Sequence, residues 1–185
     1  YGGDFFFFFS TPTFNIAGNF NVISNTCDVS RIRLTVSGTT TVSGTLAINT
    51  TRGTKTFNNL IVSSTGIFNS NVAEDYRING NIQSDGTFNA NMGIFTLAGL
   101  GKTISGTSAI VFDDVTCTGI YTNNAASVRV MTSFRGTGTW NQGALGTVNI
   151  ETINASFSVA NFNCSTVGNT VIYNRNGAQD VRIPT

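Results

Sequence analysis

The chain has 185 residues, of which 40% are hydrophobic and only 10% charged, with a formal net charge of +1 and no histidine. Charged residues make up roughly 25% of an average soluble domain, and a chain without basic runs is a poor candidate for binding nucleic acid or an anionic membrane. The lack of histidine removes the usual general base at neutral pH and the commonest metal ligand. Composition therefore disfavours the most familiar catalytic and electrostatic functions.

The chain opens with an unusual run of five phenylalanines, Phe5 to Phe9. The run is far shorter than the roughly 20 apolar residues that span a bilayer, and it lacks the basic start and small-residue cleavage site of a signal peptide. Consecutive aromatics cannot alternate between the two faces of a half-buried strand, so a strand covered on both faces and a patch for a partner both stay open. We treat residues 1–13 as an irregular or partner-covered start.

From residue 14 onward, short alternating or β-branched runs are separated by clusters of Gly, Asn, Ser and Thr, as is typical of strands and turns. No stretch has helical spacing and no capping box precedes an apolar run, so no helix is predicted. Proline occurs only at Pro12 and Pro184, which leaves nearly every backbone N–H available to a sheet. The predicted strands are residues 31–36, 56–62, 94–97, 110–115, 128–131, 156–162 and 170–173.

Short phrases recur along the chain. Ile16, Val36, Ile78 and Ile104 each precede a glycine by two positions, and residues 44–46 match residues 86–88. Longer segments match at offsets of 52 to 55, such as residues 76–89 against 128–141 and residues 57–60 against 112–115. A period in the twenties is typical of a solenoid, in which like residues stack on like residues.

We therefore predict that residues 14–185 form an all-β parallel β-helix of roughly eight coils, on the order of 40 Å long at about 4.8 Å per coil. Stacked Asn and Thr side chains at its turns are expected to form hydrogen-bond ladders. A β-sandwich is the alternative, because it also places a turn every 8 to 12 residues or so. Since an uncapped coil exposes unpaired backbone groups, we expect further coils before Tyr1 and after Thr185.

The residues that could carry chemistry have simpler interpretations. Cys27, Cys117 and Cys164 lack the CxxC spacing of a zinc site, and whether they pair stays open. Cys117 aligns with Val62 and is predicted to be a small buried residue. Trp140 aligns with Phe88 and is predicted to be a core aromatic rather than a platform for a sugar ring.

Two pairs of adjacent carboxylates, Glu74–Asp75 and Asp113–Asp114, are the best candidates for an acidic site. Both pairs are predicted to be solvated turns, with a weak calcium site as the alternative. We assign no catalytic, cofactor-binding or metal-binding residue, and predict a protein that is not an enzyme and needs no cofactor.

Residues 53–62, 78–82, 86–90 and 102–106 carry phrases that resemble the Thr/Asn/Gly-rich β-helical repeats of very large Bacteroidota surface proteins. Such proteins are typically exported by the type IX secretion system and include adhesins of gliding cells. The resemblance spans roughly residues 14–183 and implies no catalytic residues. It implies an extracellular, cell-surface segment that acts as a rigid stalk or surface-contact module.

Two other functions stay open: a carbohydrate-binding or polysaccharide-cleaving β-helix, and a self-assembling filament subunit. The expected partners are neighbouring repeats or copies of the same protein, with surface polysaccharide as a further candidate. Neither nucleic acid nor membrane insertion is expected.

Overall fold

The computed structural model describes residues 11–152, 156–179 and 181, so the run Phe5 to Phe9 lies outside the described residues. Within these ranges the chain forms 17 strands and no α-helix. The strands are β1 (Thr13–Ile16), β2 (Phe20–Val22), β3 (Thr26–Asp28), β4 (Arg33–Val42), β5 (Thr45–Ile48), β6 (Lys55–Val62), β7 (Ile67–Ser70), β8 (Asp75–Ile78), β9 (Ile82–Ser84), β10 (Thr87–Leu97), β11 (Lys102–Ser105), β12 (Ile110–Cys117), β13 (Ile120–Asn123), β14 (Val128–Gln142), β15 (Thr147–Ile150), β16 (Phe157–Asn163) and β17 (Thr170–Tyr173).

The strands wind around three faces, which we name A, B and C in chain order. In the fourth coil, β8 lies on face A, β9 on face B and residues 87–90 of β10 on face C. Each strand pairs in parallel with the strands of the same face in the adjacent coils, as β8 does with β6 and β10. Coils 1 to 8 begin on face A at residues 13, 33, 55, 75, 94, 114, 133 and 157.

This arrangement is a parallel β-solenoid of about 8 turns, which confirms the predicted fold. The alternative, a β-sandwich, is wrong because every strand pairing is parallel. The shift between paired residues varies from 18 positions, between Ile110 and Val128, to 23 positions, between Thr147 and Thr170. The corners absorb these differences while the strands keep their register. No segment of the described chain forms a helix with the length and hydropathy that crossing a membrane requires.

Alternation along the strands sends every second side chain into a continuous core. Phe68 and Phe88 stack on face C with ring centroids 4.8 Å apart, and Tyr76 stacks on Phe95 on face A at 4.4 Å. Each such pair contributes about 1 kcal/mol beyond the area it buries. Trp140 is fully buried, so its predicted place in the core is confirmed.

The matches at offsets of 52 to 55 do not connect stacked residues, contrary to the prediction. Tyr76 lies on face A whereas Val128, its match, lies on face C. Leu46 and Phe88, which match at an offset of 42, do share face C and stack through Phe68. The long matches therefore equate different faces, and the repeating unit that they detect is one corner and one strand rather than one coil.

The glycine phrase shows the same limit. Ile16 pairs with Val36 on face A, and Ile78 joins that column through Phe57, but Ile104 pairs with Ile82 on face B. The reason lies in the corners, where backbones of adjacent coils approach too closely for a side chain. A Cβ at Gly86 would lie 2.1 Å from the carbonyl oxygen of Ser63. Since corners on different faces share this requirement, their sequences look alike.

Candidate functional surfaces

The corner between faces C and A buries a complete ion pair in coils 3 and 4. The Lys55 ammonium lies 3.0 Å from a carboxylate oxygen of Glu74, and the two side chains are 0% and 6% exposed. Lys55 also donates to the carbonyl oxygen of Gly53 at 2.6 Å. Glu74 accepts from the backbone N–H groups of Arg52 at 2.8 Å and Asp75 at 3.0 Å.

The prediction that Glu74 belongs to a solvated turn is therefore wrong, whereas its neighbour Asp75 is exposed. Burial of a charge is tolerated when an opposite charge and hydrogen bonds compensate it, and both conditions hold here. One sequence signal points to this pair. Lys55 has the same strand parity as the buried Phe57, and its register partner on the preceding coil is the buried Leu34. A lysine therefore occupies an inward position.

The same corner looks different in coils 6 and 7. Asp113 and Asp114 lie within β12 and are both half-buried, so the turn predicted for this pair is wrong and only part of the predicted solvent exposure is present. The Thr132 hydroxyl of the next coil donates to Asp113. One carboxylate oxygen of Asp114 is buried without a hydrogen-bond partner, and so is the hydroxyl of Ser133, its register partner.

The environment of Asp114 disfavours its charge. Burial raises the pKa of this carboxyl, the adjacent carboxylate of Asp113 raises it further, and the guanidinium of Arg135 acts in the opposite direction. Within the described residues, no group of three or more His, Cys, Asp or Glu side chains is arranged to hold a metal ion.

Face B carries a continuous polar column on its outer side. In the first coils, backbone N–H groups donate to the asparagine side chain of the coil before: Thr39 to Asn19, Asn81 to Asn59 and Thr103 to Asn81, each at 2.9 Å. The predicted side-chain ladders are thus present. The column, which we call the Asn/Thr column, takes one residue from each coil: Asn19, Thr39, Asn59, Asn81, Thr103, Thr122, Asn141 and Asn163.

A second polar group lies inside the solenoid where face B turns toward face C in coils 6 and 7. Gln142 accepts from the Trp140 indole N–H at 2.8 Å and from the Asn123 amide at 2.9 Å. Its own amide donates to the carbonyl oxygens of Gly146 at 3.1 Å and Thr170 at 3.3 Å. Fully partnered networks of this kind make a buried corner rigid. Since the Trp140 ring is enclosed here, it offers no surface to a sugar.

The three cysteines are all free. Cys27 belongs to coil 1, Cys117 to coil 6 and Cys164 to coil 8, so they are too far apart along the stack to bridge. Cys117 is fully buried, which confirms its predicted place in the core. Burial raises the pKa of Cys117 and of Cys164 to about 11, so both stay protonated thiols at neutral pH.

Comparisons with protein families, with curated proteins and with solved structures find no match to this chain.

Proposed function

We propose that this chain is a non-catalytic structural or adhesive segment of an extracellular surface fibre or large adhesin, where it acts as a rigid stalk or surface-contact module. The Asn/Thr column carries this proposal, because its side chains link the first five coils, and coils 7 and 8, on the outer side of a solenoid whose backbone is already paired in parallel. In such a structure each coil is stabilised by its neighbours, so length can be extended without a new core.

The first coil adds a second observation. β1 and β2 pair with β4, and β3 pairs with β5, but no strand among the described residues pairs with their opposite edge. The edge of a sheet is a template for another strand. This edge suits a further coil, which either the same chain or a second copy can supply. The second arrangement is the self-assembling filament.

An extracellular location and gliding-type adhesion rest on the resemblance of the repeat phrases to Bacteroidota surface proteins. The test is labelling of intact source cells with an antibody raised against the 185-residue chain, followed by cryo-electron microscopy of the labelled structures. We expect surface labelling and rod-like density with a repeat of about 4.8 Å along its axis. Labelling only after cell lysis, or a compact capped particle, would contradict the proposal.

The carbohydrate alternative is tested separately by a glycan array probed with the purified chain. Most aromatic rings of the described residues are enclosed in the core. Among these residues Phe14, which is 55% exposed, is the aromatic ring on which a sugar could stack. Specific binding to an acidic polysaccharide, lost on changing residues of one coil face, would favour that alternative over a stalk.

A further inference from the structure

Unpartnered buried oxygens gather at one place in the solenoid. The described residues contain four buried side-chain oxygens without a hydrogen-bond partner, which belong to Thr40, Asp114, Ser133 and Thr152. Three of them, all except Thr40, lie where face C turns toward face A in successive coils. Buried polar groups are almost always partnered. Such a concentration therefore points to a partner that is not part of the protein.

Asp114 and Ser133 define the centre of this cluster. They are paired in register on adjacent coils, and their neighbours Val115 and Phe134 point into the core. Alternation therefore directs both Asp114 and Ser133 to the other side of the strand. Ser133 is nevertheless only 4% exposed. The two oxygens thus lie on the same side of neighbouring strands, both shielded from water.

The charges at this corner favour a cation over a neutral partner. Asp113 and Asp114 are adjacent carboxylates, and Arg129 is already engaged by Glu151 at 2.5 Å and 2.8 Å. The guanidinium of Arg135 offsets part of the negative charge of Asp114. It is exposed, however, and makes no hydrogen bond to the buried oxygen of Asp114. At the same corner of coils 3 and 4, the buried carboxylate of Glu74 is neutralised by an ammonium.

We propose that a calcium ion binds between coils 6 and 7, with Asp114 and Ser133 as ligands and Asp113 as the second negative charge. Stacked strands are about 4.8 Å apart, so two side-chain oxygens held at the strand spacing would each lie about 2.4 Å from an ion midway between them. That distance falls within the roughly 2.3–2.6 Å of calcium–oxygen bonds. Carboxylate and hydroxyl oxygens are hard ligands, and the ion would supply positive charge on the outer side of this corner, as the Lys55 ammonium does on the inner side in coils 3 and 4.

The ordinary alternative is a buried water molecule that bridges the two oxygens. Titration of the chelator-treated 185-residue chain with calcium chloride in a calorimeter distinguishes the two, with thermal unfolding followed by circular dichroism as the second readout. The test variants are Ser133→Ala and Asp114→Asn. The matched control is Asp75→Asn, an exposed aspartate at the same register position two coils lower.

We expect one calcium ion per chain, an upward shift of the midpoint of thermal unfolding with calcium, and a smaller shift with magnesium, which demands a stricter geometry. Both test variants should lose the calcium shift, while Asp75→Asn keeps it. Ser133→Ala should remain folded without calcium, because it removes an unpartnered hydroxyl. It therefore decides the question even if Asp114→Asn fails to fold.

If the unchanged chain shows no binding heat and calcium does not shift its midpoint of thermal unfolding, the proposal is overturned. The buried water molecule then remains as the explanation. Calcium binding that survives in Ser133→Ala and Asp114→Asn would place the ion elsewhere and overturn it too. Neither result bears on the stalk function, which is tested by surface labelling and microscopy.

Discussion

The corner between faces C and A is built in two ways within one solenoid. In coils 3 and 4 it encloses Lys55 and Glu74, and both of these buried charges have partners within the chain. In coils 6 and 7 it encloses oxygens of Asp114 and Ser133 that have none. The difference shows that a solenoid corner can bury ionic groups when the chain supplies the cation, as it does with Lys55, whereas the chain supplies no partner to the buried oxygens of Asp114 and Ser133.

The largest expected effect is at the lower corner. Lys55→Met leaves the Glu74 carboxylate buried without its ammonium, and we expect a loss of about 3–5 kcal/mol in the free energy of unfolding. Urea unfolding followed by circular dichroism measures it. The double variant Lys55→Met/Glu74→Gln should recover much of the loss. Equal losses in the single and double variants would show that packing, rather than the charge, accounts for the effect.

A smaller loss is expected inside coils 6 and 7, at the turn from face B to face C. Gln142→Leu keeps the side-chain volume but leaves the Trp140 N–H and the Asn123 amide without their acceptor, at a cost of about 1–3 kcal/mol. Tryptophan fluorescence during urea unfolding reports it directly. Thr139→Ala, on the outer side of the same strand, is the control and should change stability by about 0.5 kcal/mol or less. Similar effects of the two changes would contradict the assigned network.

Two buried serines should respond with opposite signs. Ser70 accepts a hydrogen bond from the Tyr76 hydroxyl at 2.6 Å and donates to the carbonyl oxygen of Val72 at 3.2 Å. Ser70→Ala should therefore cost about 1–2 kcal/mol, whereas Ser133→Ala should gain up to about 1 kcal/mol in calcium-free buffer. Parallel denaturation of both variants with chelator present measures the difference. A clear loss in Ser133→Ala would mean that its hydroxyl has a partner without calcium.

The smallest effect concerns a carboxylate that accepts hydrogen bonds from its own coil and from the next one. Hydrogen bonds from Gln83 and Thr107 lower the pKa of Asp85 from its ordinary value of 3.8. A lowered pKa in the folded chain means that Asp85 stabilises it above pH 3.8 and that this contribution is lost as pH falls through the folded pKa. Carboxyl carbon chemical shifts during an NMR titration should show the low value. Asp85→Asn should flatten the dependence of stability on pH in that range.

Much of the architecture could be predicted from patterns in the sequence, although for a reason that differs from the one expected. Alternation and glycine-containing turns indicated parallel stacked strands, and the coil number was confirmed. The longest matches nevertheless compare different faces, as Tyr76 and Val128 illustrate. The requirement for small residues at the corners repeats in the sequence. The face on which each strand lies depends instead on how many residues each corner uses.

The candidate sites were harder to predict. Glu74 and Asp113 both stand beside a second acidic residue, and such pairs are commonly solvated turns. Their burial depends on side chains from other coils: Lys55 comes from the preceding coil and Thr132 from the following one. Partners at separations of 19 residues leave no local signal, apart from the inward parity of Lys55 within an otherwise apolar row.

The sequence by itself determined the all-β class, the inward row of apolar and aromatic residues, and the polar character of the turns, because these follow from alternation and from backbone requirements within a few residues. Tertiary structure alone decided which residues stack. It placed an ammonium beside the Glu74 carboxylate and aligned the oxygens of Asp114 and Ser133 on adjacent coils. The physical reason is that stacking register depends on the summed lengths of all corners in a coil, a quantity that no single segment encodes.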